Sequence, residues 1–161
     1  MSKIAQTPTS DDTTVTHVSD ETLREFVGYH LKRAFNVVVS DLNQTLKPYE
    51  LRMITYTALI LIIDNPGLRQ SQLADALAIE RPNLVVIIDE LENRGLITRD
   101  RVPTDRRAYA LNGTKAGEDL YKTAISAVHD HEKRVLGVLS DEERAAVIRA
   151  MDLIRRGPME D

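Results

Sequence analysis

The sequence has no cysteine and no tryptophan, and aromatic residues make up only 4% of its 161 residues. The absence of cysteine excludes disulfide bonds, thiol redox sensing and cysteine-ligated zinc. Because aromatic side chains are scarce, the core must be aliphatic, and aliphatic residues at helical spacings favour an α-helical protein. The longest apolar run, residues 58–63, is far shorter than the roughly 20 residues that a membrane-spanning helix needs. We therefore expect no membrane association.

The first 19 residues also lack any long apolar segment. They are rich in threonine, serine and aspartate, and they do not resemble a secretory signal peptide. This composition predicts a disordered tail, residues 1–19, on a cytoplasmic protein. A second short tail is expected at residues 158–161, so that residues 20–157 form a single domain.

The net charge is −4, but its distribution along the chain matters more than its sum. Between Arg94 and Arg107 there are five arginines and two aspartates, which gives this segment a local charge of +3 (five minus two). The acidic excess lies mainly near the two ends of the chain. A basic segment on an acidic body can orient a protein on DNA.

Long amphipathic helices are predicted at both ends of the domain. Apolar residues repeat at helical spacing over residues 20–46, which predicts a helix about 40 Å long that Pro48 ends. A helix of this length is too long to be covered by one small domain, so it is expected to pack against a partner subunit. Residues 115–156 predict two more helices, with Thr114 as the cap of the first and a capping box at residues 140–143 for the second.

The middle of the chain, residues 50–112, has the pattern of a winged helix-turn-helix. A buried helix over residues 50–63 is followed by a short helix at 70–77, a turn, and a helix over 81–94 that ends before Gly95. Residues 96–101 and 108–112 then predict two antiparallel strands around a proline-containing loop. The expected fold class is mainly α with a small β-wing, a winged helix-turn-helix joined to long dimerisation helices.

The helix at 81–94 is the expected recognition helix. Winding it at 100° per residue places Leu84, Ile87, Ile88 and Leu91 on one face, which is therefore core. Groove-entering helices contact bases with their first residues, and an arginine pair on a hairpin tip can enter a minor groove. Helix N-termini also donate to phosphates. The predicted DNA-binding residues are Gln70, Ser71, Gln72, Arg81, Pro82, Asn83, Val86, Asp105, Arg106 and Arg107.

Four other charged residues near this surface are interpreted from the same pattern. Arg99 and Arg101 are expected to be solvated strand residues, with phosphate contact as the alternative. Asp89 and Glu90 lie further along the recognition helix and are expected to hold a wing arginine. Asp105 is interpreted as an internal partner that orients Arg107.

Three segments resemble the MarR family of regulators. They are Leu-Ala-Asp-Ala-Leu-Ala-Ile (73–79), Asp-Glu-Leu-Glu-Asn-Arg-Gly-Leu-Ile (89–97) and Asp-Arg-Arg-Ala-Tyr-Ala-Leu-Asn-Gly-Thr-Lys-Ala-Gly (105–117). The resemblance covers about residues 20–156. It implies a symmetric dimer joined by the first, fifth and sixth helices, with two winged domains on a palindrome. It also implies that small, often aromatic or phenolic, molecules weaken DNA binding.

The chain departs from the family pattern near the recognition helix. Glu80 and Pro82 stand where members often carry serine or threonine, and Val85-Val86 stands where they often have Thr-Arg. Arg69 replaces the usual polar cap before the helix at 70. The family's base contacts therefore do not transfer residue by residue to this chain.

A strip on the first helix is the candidate effector site. Arg33 and His30 at a core edge can meet a carboxylate, and apolar or hydrogen-bonding side chains can wall the site. The alternative is that both residues make structural bonds to helix ends or to a partner subunit. The predicted effector-binding residues are Phe26, His30, Arg33, Met53 and Tyr56.

No catalytic or metal-binding arrangement stands out. His129 and His131 are separated by 200° on a helix, so the two cannot share one ion within a chain. No cofactor is expected, and no Ser-His-Asp order or phosphate loop indicates an enzyme. The sequence instead predicts a homodimeric repressor that binds double-stranded DNA at a palindromic operator and is released by a small ligand. The alternative is a winged-helix protein-interaction module that has lost specific DNA binding.

Overall fold

The computed structural model describes residues 18–102 and 105–157, without the side chains of residues 102 and 105–108. The chain forms two compact units that divide between Phe35 and Asn36, and each is described by itself. The six helices of the described residues are α1 (Val27–Leu46), α2 (Met53–Asp64), α3 (Gln70–Leu77), α4 (Arg81–Asn93), α5 (Lys115–Leu136) and α6 (Asp141–Arg156). The strands are β1 (Leu68–Arg69), β2 (Ile97–Val102) and β3 (Asp105–Gly113). The predicted tails at 1–19 and 158–161 lie almost wholly outside the described residues.

In the first unit, the first helix starts later than the sequence predicted. A 3-10 turn, Thr22–Glu25, precedes α1, and Phe26 between them has extended backbone (φ −104°, ψ 124°). The carbonyl of Arg24, which a continuous helix would use within its own backbone, accepts a hydrogen bond from Nε2 of His30 at 2.8 Å. The single helix predicted from residue 20 was therefore wrong, and α1 is 20 residues long, about 30 Å.

The core of the second unit joins α2, α3, α4 and the sheet. All four residues predicted for the inner face of α4 are buried, as are Leu59, Ile62 and Leu73. Burying aliphatic side chains of this size stabilises the fold by about 1.5–3 kcal/mol each before conformational entropy is subtracted. The predicted core face of the recognition helix is confirmed.

The start of α2 lies three residues later than the sequence predicted. Glu50 has a left-handed backbone conformation (φ 52°), which a right-handed helix cannot contain. The helical conformation is therefore interrupted between the turn that follows α1 and the start of α2. The backbone N–H of Arg52 then donates to Oγ1 of Thr55 at 2.9 Å, and this bond satisfies a free donor at the helix start. Leu51, predicted inside the helix, is buried just before it.

The sheet has three antiparallel strands in the order β1-β3-β2. Leu68 pairs with Leu111 on one side of β3, and Arg99 pairs with Leu111 on the other. The two-residue strand β1 was not predicted, and β2 and β3 extend beyond the predicted strands, to Val102 and from Asp105. The sheet anchors the wing to the helical core because Leu111, at its centre, is fully buried.

Close packing at Gly117 holds the sheet against α5. A Cβ atom at this position would lie 2.1 Å from the carbonyl oxygen of Leu96, so no larger residue fits without movement of the backbone. Thr114 caps α5 by accepting a hydrogen bond from the N–H of Gly117 at 3.1 Å, as predicted. The helix ends at Leu136, with Gly137 as its C-cap.

The last helix, α6, has a well-formed N-terminal cap but no buried residue. Ser140 and Glu143 form the predicted capping box, with N–H to side-chain oxygen distances of 2.8 and 3.2 Å. No residue of α6 is buried in the single chain. None of the helices in the described residues is both long and apolar enough to cross a membrane.

Candidate DNA-binding surface

The outward face of α4 begins with an extended Glu80 and a proline in the first turn. Pro82 has no N–H to leave unsatisfied there, so it fixes the helix start without cost. Arg81, Pro82 and Asn83 are all exposed, and the exposed fractions of Val85 and Val86 are 45% and 63%. The predicted groove-facing residues of this helix therefore lie together on one exposed surface.

The acidic residues of α4 are paired with arginines. Asp89 lies 2.8 Å from Arg99 of β2, and Glu92 accepts two hydrogen bonds from the same guanidinium. These bonds from Arg99 hold the pKa of the Glu92 carboxyl below its ordinary value, and Glu92 in turn raises the pKa of Arg99. Arg99 is therefore neither solvated nor a free phosphate contact, and that prediction was wrong. It fixes the first wing strand against the recognition helix.

A second arginine pair ties α4 to the segment before α2. Arg52 forms an ion pair with Glu90, so this acid does not hold a wing arginine as predicted. Arg94, at the other end of α4, donates to the carbonyl oxygens of Tyr49 at 2.9 Å and Glu50 at 2.6 Å. Charge-assisted hydrogen bonds at Glu90 and at Arg94 thus hold the C-terminal half of the recognition helix against the segment before α2.

The start of α3 supplies donors beside this surface. Ser71 and Gln72 are exposed and Gln70 is half-buried, in the first turn of the helix. Oε1 of Gln72 accepts a hydrogen bond from the N–H of Arg69 at 3.0 Å, which caps the helix start despite the unusual arginine. The backbone N–H groups of the first turn stay available for a phosphate oxygen.

The wing is described only in part. Arg101 of β2 is exposed and pairs with Tyr109 of β3, and a register shift follows between Arg101 and Val102. At the base of the wing, Nδ2 of Asn112 donates to Oδ2 of Asp100 at 2.7 Å. β3 includes three predicted DNA-contacting residues, Asp105, Arg106 and Arg107. Their side chains lie outside the described part of the structure, and so does the predicted pairing of Asp105 with Arg107.

The candidate effector residues of the first unit are engaged by the chain itself. Arg33 donates to the hydroxyl of Tyr29 at 2.8 Å and lies 3.3 Å from Oδ2 of Asp20. His30 is bonded to the Arg24 carbonyl. Phe26 is 58% exposed. The bonds of His30 and Arg33 to the segment before α1 match the structural alternative weighed for these residues.

The other two candidate effector residues belong to the second unit. The N–H of Met53 donates to Oδ1 of Asn43 at 3.3 Å, and Met53 is half-buried at the start of α2. Burial raises the pKa of the Tyr56 hydroxyl, with a smaller contribution from Tyr121. A neutral, half-buried phenol of this kind is a hydrogen-bonding group that an effector can use.

The histidines of α5 are not arranged for a metal ion. The described residues contain no group of three metal-ligating side chains. His131 is buried, and its Nδ1 lies 2.7 Å from Oδ2 of Asp41, which also accepts a hydrogen bond from Arg134 at 2.6 Å. This link between α1 and α5 was not predicted, because its partners are about 90 residues apart and no local spacing indicates it.

Comparison with known proteins connects this geometry to a family. A sequence model described as the MarR family matches residues 51–108. A relative from Thauera aromatica, the putative transcriptional regulatory protein for the hcr operon, is 34% identical over 131 residues, which are 81% of this chain and 79% of the relative. The transcriptional repressor CouR bound to a 23-mer DNA duplex has 35% identity and a TM-score of 0.83, covering 87% of this chain and 99% of that chain. CouR bound to p-coumaroyl-CoA has 33% identity and a TM-score of 0.80, covering 88% and 100%.

The chain belongs to the MarR family of transcriptional regulators. The predicted resemblance and the predicted fold class are both confirmed. The family match begins at Leu51 and ends within the wing, so it spans the two arginine links, Arg52–Glu90 and Arg99 with its two acids. In this MarR-family chain the links hold the recognition helix and the first wing strand in one arrangement.

Proposed function

We propose that this protein is a homodimeric repressor that binds a palindromic operator and is released by a small ligand. The exposed start of α4 carries the proposal, because Arg81, Asn83 and Val86 share one surface. Further along the helix, Asp89 and Glu90 are paired with Arg99 and Arg52. Arginine can pair with guanine and asparagine with adenine, while valine packs on a thymine methyl. The first turn of α3 and the wing arginines would add phosphate and minor-groove contacts.

Dimerisation is supported by the apolar surface of the last helix. Val147, Ile148, Met151 and Ile154 are 43–58% exposed and follow a helical stripe on α6. A contiguous apolar stripe of this kind marks an interaction surface in a water-soluble protein. We propose that residues 20–46 and 115–156 form the interface with a second copy. A symmetric dimer would then hold two recognition helices about 34 Å apart, one turn of DNA.

The proposed effector is an aromatic acid or an aromatic acyl thioester. CouR, a relative of similar length, has been seen with p-coumaroyl-CoA, which carries both a phenol and phosphates. Among the predicted effector residues, Phe26, His30 and Arg33 of the first unit supply an aromatic ring, an imidazole and a cation. Met53 and Tyr56 of the second unit supply a thioether and a phenol of raised pKa. Such a ligand shifts the protein between two states only by its differential affinity for them.

Fluorescence anisotropy tests the DNA-binding part of this proposal. The full chain is titrated against DNA from its own upstream intergenic region and against a scrambled duplex, at several salt concentrations. Nanomolar binding to the native duplex alone, with affinity falling linearly on a log–log salt plot, is the expected result. Weak and equal binding to both duplexes, without salt dependence, would favour the protein-interaction module, for which the exposed Val85–Val86 pair offers an apolar contact.

The wing is tested in the same assay. Arg107→Ala is expected to weaken operator binding about tenfold, because one charge-assisted contact to DNA is lost. Arg107→Lys, which keeps the charge, should restore part of the affinity. An unchanged affinity for Arg107→Ala would contradict the assignment of this residue to the DNA contact.

A further inference from the structure

The N-terminal strap, defined as residues 20–25, is attached to α1 mainly through polar groups, and its apolar Leu23 is 50% exposed. No residue of the 3-10 turn within it is buried, and the extended Phe26 separates it from the helix. Side-chain hydrogen bonds make the attachment: the Tyr29 hydroxyl donates to Oδ2 of Asp20 at 2.5 Å, and His30 bonds to the carbonyl of Arg24 at 2.8 Å. An element held mainly by polar surface bonds is displaced at low cost.

The groups around Asp20 have the chemistry of an oxyanion site. Oδ2 of Asp20 accepts from the Tyr29 hydroxyl and lies 3.3 Å from Nη1 of Arg33, while the same Nη1 donates to the Tyr29 hydroxyl at 2.8 Å. The guanidinium carbon of Arg33 also lies 5.5 Å from the centre of the Tyr29 ring, so the ring helps to fix its position. A phenol and a guanidinium converging on one oxygen recognise a carboxylate or a phosphate equally well.

Apolar surface adjoins this site. Phe26 and Val27 are 58% and 68% exposed, next along the chain to the strap. The hydrogen bonds from Tyr29 and Arg24 hold the pKa of the Asp20 carboxyl below its ordinary value, so the group is an anion at neutral pH. The site therefore already holds one oxyanion, supplied by the chain itself, beside apolar side chains that are exposed in the single chain.

We propose that Asp20 is an internal substitute for the effector's oxyanion. A carboxylate or phosphate of the ligand displaces Asp20 from Tyr29 and Arg33, the aromatic part covers Phe26, and the strap is released. This inference rests on the proposed ligand-responsive function. It adds that the ligand competes with a group of the protein, so that the apparent affinity is lowered by the fraction of molecules in which Asp20 occupies the site.

Calorimetric titration of the full chain tests the competition. Coenzyme A and benzoate are the two probes, the first supplying phosphates and the second a carboxylate. Asp20→Asn is expected to bind at least one probe about three- to tenfold more tightly than the parent chain, since the competitor is removed. Glu21→Gln is the matched control, because it makes the same charge change in the strap and has no ion pair among the described residues. It should bind like the parent, and Arg33→Ala should bind neither probe.

Hydrogen–deuterium exchange gives a second readout that does not depend on affinity. The strap amides should exchange faster in Asp20→Asn without ligand, and faster in the parent chain when the binding probe is present. Equal affinities for Asp20→Asn and Glu21→Gln, no binding of either probe to Asp20→Asn, or unchanged strap exchange would each overturn the proposal. A probe that displaces Asp20 but leaves operator binding unchanged would support this site and contradict ligand-controlled repression instead.

Discussion

The winged region and the last helix of the same unit differ in how they place their apolar side chains: the first buries them and the second exposes them. From Leu51 to Leu111 the chain buries most of its large aliphatic side chains against one another, and its polar links are directed inward, between α4 and its neighbours. In α6 no residue is buried, and an apolar stripe faces outward. The winged region is therefore packed to keep its own geometry, whereas α6 leaves apolar surface for the proposed dimer contact.

The largest expected effect follows from breaking the core beneath the recognition helix. Ile88 is fully buried, so Ile88→Ala should lower the free energy of unfolding by about 2–5 kcal/mol through lost transfer energy and a residual cavity. Chemical denaturation at fixed protein concentration measures this loss. The matched control is Ile148→Ala on α6, at a side chain 58% exposed. If the control costs as much in a dilute sample where the chain is monomeric, the contrast between the two regions is wrong.

A charge on the apolar stripe of α6 should separate the subunits of the proposed dimer. Ile148→Asp is expected to raise the dissociation constant of the dimer at least about 100-fold, because a carboxylate would lose its water in an apolar interface. Sedimentation equilibrium measures this constant, and circular dichroism checks that the helices remain. Ile148→Leu, which keeps the apolar surface, should stay dimeric. A dimer that tolerates the aspartate would place the interface on another surface of the chain.

A smaller effect is expected where the recognition helix meets the bases. Val86 is 63% exposed, and packing one thymine methyl against it should contribute about 0.8 kcal/mol, a three- to fourfold change in affinity. Replacing single operator thymines by uracil removes only that methyl group. The parent chain should lose affinity at one position in each half-site, and Val86→Ala should lose none there. Equal losses in both proteins would mean that Val86 does not contact the methyl.

The same contrast explains what the sequence could predict. The bounds of α3, the start of α4 and the caps at Thr114 and Ser140 depend on residues within a few positions, so proline, periodicity and capping patterns located them. β1 is only two residues long, Leu68–Arg69, and has no periodicity of its own. It forms because Leu68 and Arg69 pair with Leu111 and Ala110 of β3, which are far away in the sequence.

Side-chain roles that depend on distant partners were harder to predict. The prediction that Asp89 holds a wing arginine is confirmed by its ion pair with Arg99. Arg99 itself was assigned to solvent, because no local spacing identified it as the partner of Asp89 and Glu92. The break before α1 is accompanied by contacts of Asp20 with Tyr29 and Arg33, nine and thirteen residues away. In both cases the residue types were visible in the sequence, but the pairing required the folded chain.

The smallest expected effect concerns the polar link between α1 and α5. Hydrogen bonds from Arg134 and then His131 hold the pKa of the Asp41 carboxyl below 3.8, its ordinary value. A depressed pKa means that this carboxylate stabilises the fold above pH 3.8, and that the contribution is lost as the pH falls through the lower folded value. Asp41→Asn should therefore be less stable than the parent chain at pH 7, and the difference should shrink as the pH falls below 4.

Urea unfolding at fixed protein concentration, from pH 7 to about pH 3, measures that difference. Asp130→Asn is the control, because its side chain is 69% exposed and pairs only with the neighbouring Lys133 among the described residues. It should follow the parent chain at every pH. A deficit of Asp41→Asn that keeps its full size at low pH would mean that Asp41 acts through shape rather than charge. The α1–α5 contact would then resemble the winged core more than the polar attachment of the strap.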